Sequence, residues 1–75
     1  MIRKILAILR DRDGVPAFFI DLRDEIRIRF GRAGEAEIRD GIRGCKERGW
    51  IAVSRDAATE DETYRITPKG RSNVP

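Results

Sequence analysis

At Gly49 the hydrophobic period of this 75-residue chain changes, and that change limits the folds open to it. Upstream, "EAEIRDGIRGCKER" (35 to 48) spaces Ile38, Ile42 and Cys45 along one helical face, with Glu35 at i,i+4 to Arg39. Downstream, "WIAVSR" and "TYRIT" are short, β-branched and aromatic, and they flank the polar, acidic "DAATEDE". Gly49 therefore predicts a helix C-terminus, since glycine adopts the left-handed cap conformation most readily. A β-hairpin follows it without a linker. The hairpin loop exceeds two residues and holds no Asn-Gly or Asp-Gly, so sequence leaves its register open.

Two helices are expected before this junction. Ile2, Ile5, Leu6 and Leu9 recur at i, i+3, i+4, i+7, which predicts a helix over 2–12. Asp13-Gly14 turns the chain, Val15-Pro16 disfavours helix, and "AFFI" (17 to 20) can form a short extended stub. Asp21 fits an N-cap, with Asp24 in the capping-box position, for a helix over 22–30. "EIRIRF" also alternates as a strand would, but Leu22, Ile26 and Phe30 at i, i+4, i+8 and a Glu25–Arg29 pair favour helix. Gly31-Arg32-Ala33-Gly34 makes a tight connection to the third helix, which contains Gly41 and Gly44. Each glycine costs about 0.8–1 kcal/mol relative to alanine in a helix interior. Either they admit a close neighbour, from the second helix or a partner, or the helix is short or bent there.

Composition narrows the function. The length suits one small domain over residues 1–75, whose polar tail from Lys69, and at the least 71–75, is expected to fray. The chain is 40% hydrophobic and 39% charged, its longest apolar run is "VPAFFI", and nothing resembles a signal peptide, so the expected address is the cytoplasm, away from membranes. Cys45 is the single cysteine and histidine is absent. An intrachain disulfide, the usual zinc ligand sets and histidine-based catalysis are thereby excluded, and no enzyme, metal or cofactor is expected. The net charge of +3, with thirteen of sixteen basic residues being arginine, suits an anionic partner.

The order helix, stub, helix, turn, helix, hairpin resembles the winged helix-turn-helix superfamily. The resemblance is sharpest in "CKERGWIAVSRDAATEDETYRITPKGR" (45 to 71). There "ERGWI" is similar to the helix-end, glycine, first-strand junction of MarR- and PadR-like regulators, and "YRITPKGR" to the hydrophobic-x-hydrophobic-Thr-x-x-Gly close of their second wing strand. The resemblance implies an α+β fold of three helices plus an antiparallel hairpin wing. It implies a double-stranded DNA partner, with the third helix in the major groove and the hairpin on the adjacent backbone or minor groove. The implied role is a prokaryotic or phage-type transcriptional regulator, self-associating through the first helix or the tail. Carried over by position, Arg39, Arg43 and Lys46 lie on the recognition helix, with the two arginines as readers of base edges. Lys46, Arg32, Arg55, Arg65 and Lys69 would meet phosphate.

Other features point elsewhere. Residues 32–48 hold five basic residues against four acidic ones, and Asp56, Glu60, Asp61 and Glu62 crowd the hairpin loop. An alternative is therefore a winged-helix protein–protein interaction module with an acidic wing that does not bind DNA. If DNA is bound, the wing tip should be held away from phosphate. Trp50, Tyr64, Phe18, Phe19 and Phe30 read as core residues, and Cys45 as an inert buried side chain.

Overall fold

A computed structural model describes residues 1–74. The elements run α1 (Ile2–Asp11), β1 (Ala17–Phe18), α2 (Phe19–Phe30), α3 (Glu35–Glu47), β2 (Ile51–Arg55), β3 (Glu62–Ile66) and α4 (Pro68–Arg71). This is the expected α+β architecture with two additions, a two-residue strand from the extended stub and a fourth short helix. The sheet has order β1-β3-β2 and is antiparallel throughout. α1 lies at the centre, packed on α2, α3, α4 and β3. Its Ile5, Leu6, Ile8 and Leu9 are buried with Leu22, Ile26, Ile38, Cys45 and the inward residues of the sheet.

α2 starts earlier than its sequence suggests. Phe18 is still extended because it pairs with Thr63 on β3, and the helix begins at the next residue. Asp21 is therefore not the N-cap but the third helical residue, and its carboxylate accepts the backbone N–H of Phe18 at 3.0 Å. The helical reading of "EIRIRF" holds, and Glu25 accepts from Arg29 at 3.0 Å. Phe30, the last position of the expected stripe, is 44% exposed beneath the Lys4 ammonium.

α3 ends as the glycine predicts. Gly49 has φ +72°, its N–H bonds to the Lys46 carbonyl, and the Trp50 N–H bonds to the Cys45 carbonyl. That pair of bonds is a Schellman closure. Within the helix, a Cβ on Gly41 would lie 2.7 Å from Met1 Cγ and 2.8 Å from Ile5 Cδ1, and one on Gly44 would lie 2.8 Å from Ile2 Cδ1. The two glycines admit α1 and the residue before it, rather than the second helix.

The "TPKG" stretch becomes a latch. Thr67 caps α4, its Oγ1 accepting from the Gly70 N–H at 3.0 Å and donating to the Gly49 carbonyl at 2.7 Å. Pro68 occupies the first turn, where a missing N–H costs nothing. Gly70 lies against the Trp50 carbonyl, and the Thr67 N–H also bonds to that oxygen. The tail expected to fray from Lys69 is thus helical to Arg71, and Arg71 pairs with Asp13 at 3.0 Å. The last residue of that tail, at position 75, lies outside the described residues.

Candidate nucleic-acid interface

The helical repeat of α3 places Arg39, Arg43 and Lys46 within an arc of about 60°. Ile38, Gly41, Ile42 and Cys45 are buried on the inner side. The wing stands beside the outer arc. In the hairpin register Ile51 faces Ile66, Val53 faces Tyr64 and Arg55 faces Glu62. Alternation puts these three pairs on the inward side of the sheet and Ala52, Arg65, Ser54 and Thr63 on the other. A shallow groove of about 230 Å³ results, lined by Arg39, Arg43, Lys46, Val53, Glu62 and Tyr64.

The structure therefore divides the cations singled out by sequence. Arg39, Arg43 and Lys46 share this groove, and Arg55 lies on the same side of the hairpin. Arg65 projects from the opposite side. Arg32 borders a separate hollow before α3, shared with Arg27 and Glu37, and Lys69 sits beside Gly49 at the far end of that helix. Among the described residues Arg32, Lys46, Arg55, Arg65 and Lys69 form no ion pair within 4.0 Å. Other arginines are committed to the framework: Arg29 bridges Asp11 and Glu25, Arg12 reaches Asp21, and Arg23 reaches Asp24 and Glu35.

That last contact changes the expected state of Arg39. Glu35 is drawn to Arg23 at 3.5 Å rather than to Arg39 along the helix. Arg39 instead lies over the Phe19 ring, its guanidinium carbon 4.2 Å from the centroid. Arg43 has only a 4.0 Å approach to Asp40, and its side chain is 72% exposed. The sequence did not mark Phe19 as a site residue because an aromatic within an apolar extended stub reads as core. Nor did it mark Arg27, whose Nη2 donates to the Ala33 carbonyl in the turn before α3.

The acids are near this groove, not remote from it. Asp56 Oδ1 accepts the backbone N–H groups of Ala58 and Thr59, and Glu60 adopts φ +62°, so the loop folds tightly on itself. Glu60, Asp61 and Glu62 then line a cleft of about 550 Å³ with Phe19, Arg39 and Tyr64. The Tyr64 hydroxyl donates to Glu62 at 3.1 Å, and burial, reinforced by that carboxylate, raises its pKa.

Cys45 lies on the other side of α3, fully buried, with its thiol 3.9 Å from the Ile2 carbonyl. Burial pushes it up to about 11, against a smaller opposing pull from Arg48 and the N-terminal ammonium. We predict that maleimide labels the folded protein at pH 8 at least tenfold more slowly than the denatured chain, because the thiolate is scarce and covered. Equal rates would place the thiol at the surface. Since the folded pKa exceeds that of a free thiol, this group's contribution to stability is full below about pH 8.5 and declines as pH rises towards 11.

The sequence matches no protein-family model and no curated protein at a significant level. Solved structures do match. BpsR of Bordetella bronchiseptica, whose DNA binding is regulated by 6-hydroxynicotinic acid, superposes with a TM-score of 0.83 at 27% identity. The match covers 97% of this chain but 48% of BpsR, so the chain spans about half the length of that protein. HOP2, described through its DNA recognition and protein interaction domains and homologous DNA pairing, matches with a TM-score of 0.70 at 17% identity over 84% of this chain and 92% of its own. Among the described residues no helix is long and apolar enough to cross a membrane. The element order, the three-stranded sheet and these likenesses identify a winged-helix-like fold of the kind found in DNA-binding proteins.

Proposed function

We propose that the chain is a small sequence-specific DNA-binding protein, a MarR- or PadR-like transcriptional regulator of prokaryotic or phage type, acting on double-stranded DNA in the cytoplasm as a homodimer. The observation that carries this reading is the outer arc of α3, where Arg39, Arg43 and Lys46 border one groove with the wing. Two arginine forks suit guanine edges, and a lysine ammonium suits phosphate. Arg32 and Arg55 extend the contact along the DNA backbone at either side, while Arg65 and Lys69 reach it only if DNA wraps beyond the groove. A dimer fits because one helix in one groove yields limited affinity.

Titration of labelled duplexes against salt tests the reading. Affinity should fall as salt rises, with a logarithmic slope of about −0.9 for each phosphate contact. Absence of binding at low salt would remove the DNA-reader assignment.

One observation favours a second reading, an interaction module for a basic protein partner. Glu60, Asp61 and Glu62 share a cleft with Arg39, so the wing presents negative charge beside the helix that would enter DNA. Reversing Glu60→Lys and Asp61→Lys separates the two. For a DNA reader, duplex affinity should rise about tenfold at low salt and its salt slope steepen by one to two contacts. For an interaction module, the same variant should leave duplex binding absent and abolish binding to the protein partner.

A further inference from the structure

Arg39 and Phe19 come from different helices, are twenty residues apart in sequence, and meet with the guanidinium carbon of Arg39 over the Phe19 ring. Phe19 is the first residue of α2, held there because β1 ends at Phe18 and Asp21 closes the turn onto the Phe18 N–H. Its ring is partly buried against the core, and that packing restricts its rotation. The Arg39 guanidinium carbon lies over that ring, 4.2 Å from its centroid. Glu35, the carboxylate one turn before it, is occupied by Arg23.

A long arginine side chain loses much of its rotamer freedom on binding. An aromatic support removes part of that loss beforehand and restricts the planes the fork can adopt. A fork in a fixed plane discriminates between base edges, because two parallel N–H groups must meet O6 and N7 together. A freely rotating fork meets phosphate oxygens equally well and reads nothing. Arg43 is exposed, and among the described residues no aromatic ring lies beneath its guanidinium, so it lacks this support.

We propose that Phe19 is a positioning residue for sequence discrimination, holding the Arg39 guanidinium in one plane so that Arg39 reads a guanine edge. This inference rests on the DNA-reader assignment. Phe19 touches no base itself and acts through Arg39.

The test starts from a randomised duplex pool enriched on the wild-type protein, followed by binding of the selected duplex and its single-base variants. Arg39→Ala should erase preference at one base pair. Phe19→Leu, which keeps an apolar side chain but removes the ring face, should weaken preference at that same base pair by about two- to fivefold, the scale of an exposed cation–π contact. Affinity for scrambled duplex and the salt slope should stay at wild-type values, and Phe19→Tyr should restore the preference. In the Arg39→Ala background, Phe19→Leu should have no further effect on discrimination.

Several outcomes overturn it. If Phe19→Leu keeps the full preference, or loses affinity uniformly over specific and scrambled duplexes, Phe19 has only a packing role. A discrimination loss in Phe19→Leu that persists equally in the Arg39→Ala background also overturns it. If the wild type binds no duplex, both the assignment and this inference fall; if it binds with preferences that Phe19→Leu leaves intact, only this inference does.

Discussion

Replacing Gly70 by alanine should lower the melting temperature by roughly 10–20 °C, more than any other glycine-to-alanine change within a helix of this domain. A Cβ at position 70 would lie 2.1 Å from the Trp50 carbonyl oxygen and 2.9 Å from its carbon. These are backbone atoms pinned on both sides: the Trp50 N–H closes α3, and the carbonyl accepts from Thr67. They cannot rotate away, so α4 would have to lift from the sheet. Lifting it breaks the bond from Thr67 Oγ1 to the Gly49 carbonyl and uncovers Ile66. The combined cost is about 2–4 kcal/mol, typical of overpacking with loss of a cap. Gly41→Ala is the control. Its Cβ would meet the flexible ends of Met1 and Ile5, which can give way, and alanine gains up to about 1 kcal/mol of helix propensity. Thermal melts followed by circular dichroism decide the matter. A Gly70→Ala protein melting within a few degrees of wild type would show that α4 is not held against Trp50.

The two ends joined at this contact differ in how far they were legible in the sequence. "RGW" is a local instruction, a left-handed glycine that stops α3, and it was read as such. "TPKG" starts α4 with a threonine cap and a proline, yet the chain from Lys69 was expected to fray, because the helix is held by its contact with Trp50 rather than by its own four residues. The stripes at Ile2–Leu9 and Ile38–Cys45 were as plain as "RGW", because burial on one side of a helix imposes its own period. What could not be read were outcomes fixed by tertiary contact. Asp21 lost its N-cap position because Phe18 pairs with Thr63, which is distant in sequence. For Gly41 and Gly44 the sequence left open a neighbour from the second helix or a partner, or a short or bent helix, and the neighbour is α1 with the residue before it.

The candidate site was legible as a list of cations but not as a surface. Helical spacing alone groups Arg39, Arg43 and Lys46 on one arc. It cannot say that hairpin register puts Arg55 on their side and Arg65 on the other, since the loop chemistry leaves the register open. Nor could it say that Arg23 would draw Glu35 away, leaving Arg39 over the Phe19 ring. The acidic loop followed the same rule. Its composition was evident, but its return over Phe19 and Arg39 depends on Asp56 capping Ala58 and Thr59 and on the left-handed Glu60.

The largest functional effect is expected from Arg39→Ala combined with Arg43→Ala, which should weaken binding to a selected duplex by at least about thirtyfold. Each good bidentate contact to a base contributes about 1–3 kcal/mol of discrimination, and Arg39 and Arg43 are one helical turn apart, so both can face the same groove of DNA. Their local partners do not compete strongly: Arg43 is 4.0 Å from Asp40 at an exposed position, and Arg39 rests on an aromatic ring rather than a carboxylate. Neither arginine contributes to the buried core, so the double variant should melt near the wild-type temperature. Lys46→Ala supplies the contrast. A lysine on phosphate carries no sequence information, so its loss should weaken specific and scrambled duplexes alike and reduce the salt slope by about one contact. Anisotropy titrations of both duplexes at several salt concentrations measure all three quantities. If the double variant loses affinity equally for the two duplexes, the arginines contact phosphate and base reading must lie elsewhere. If it loses none while remaining folded, the outer arc of α3 is not the DNA-binding surface.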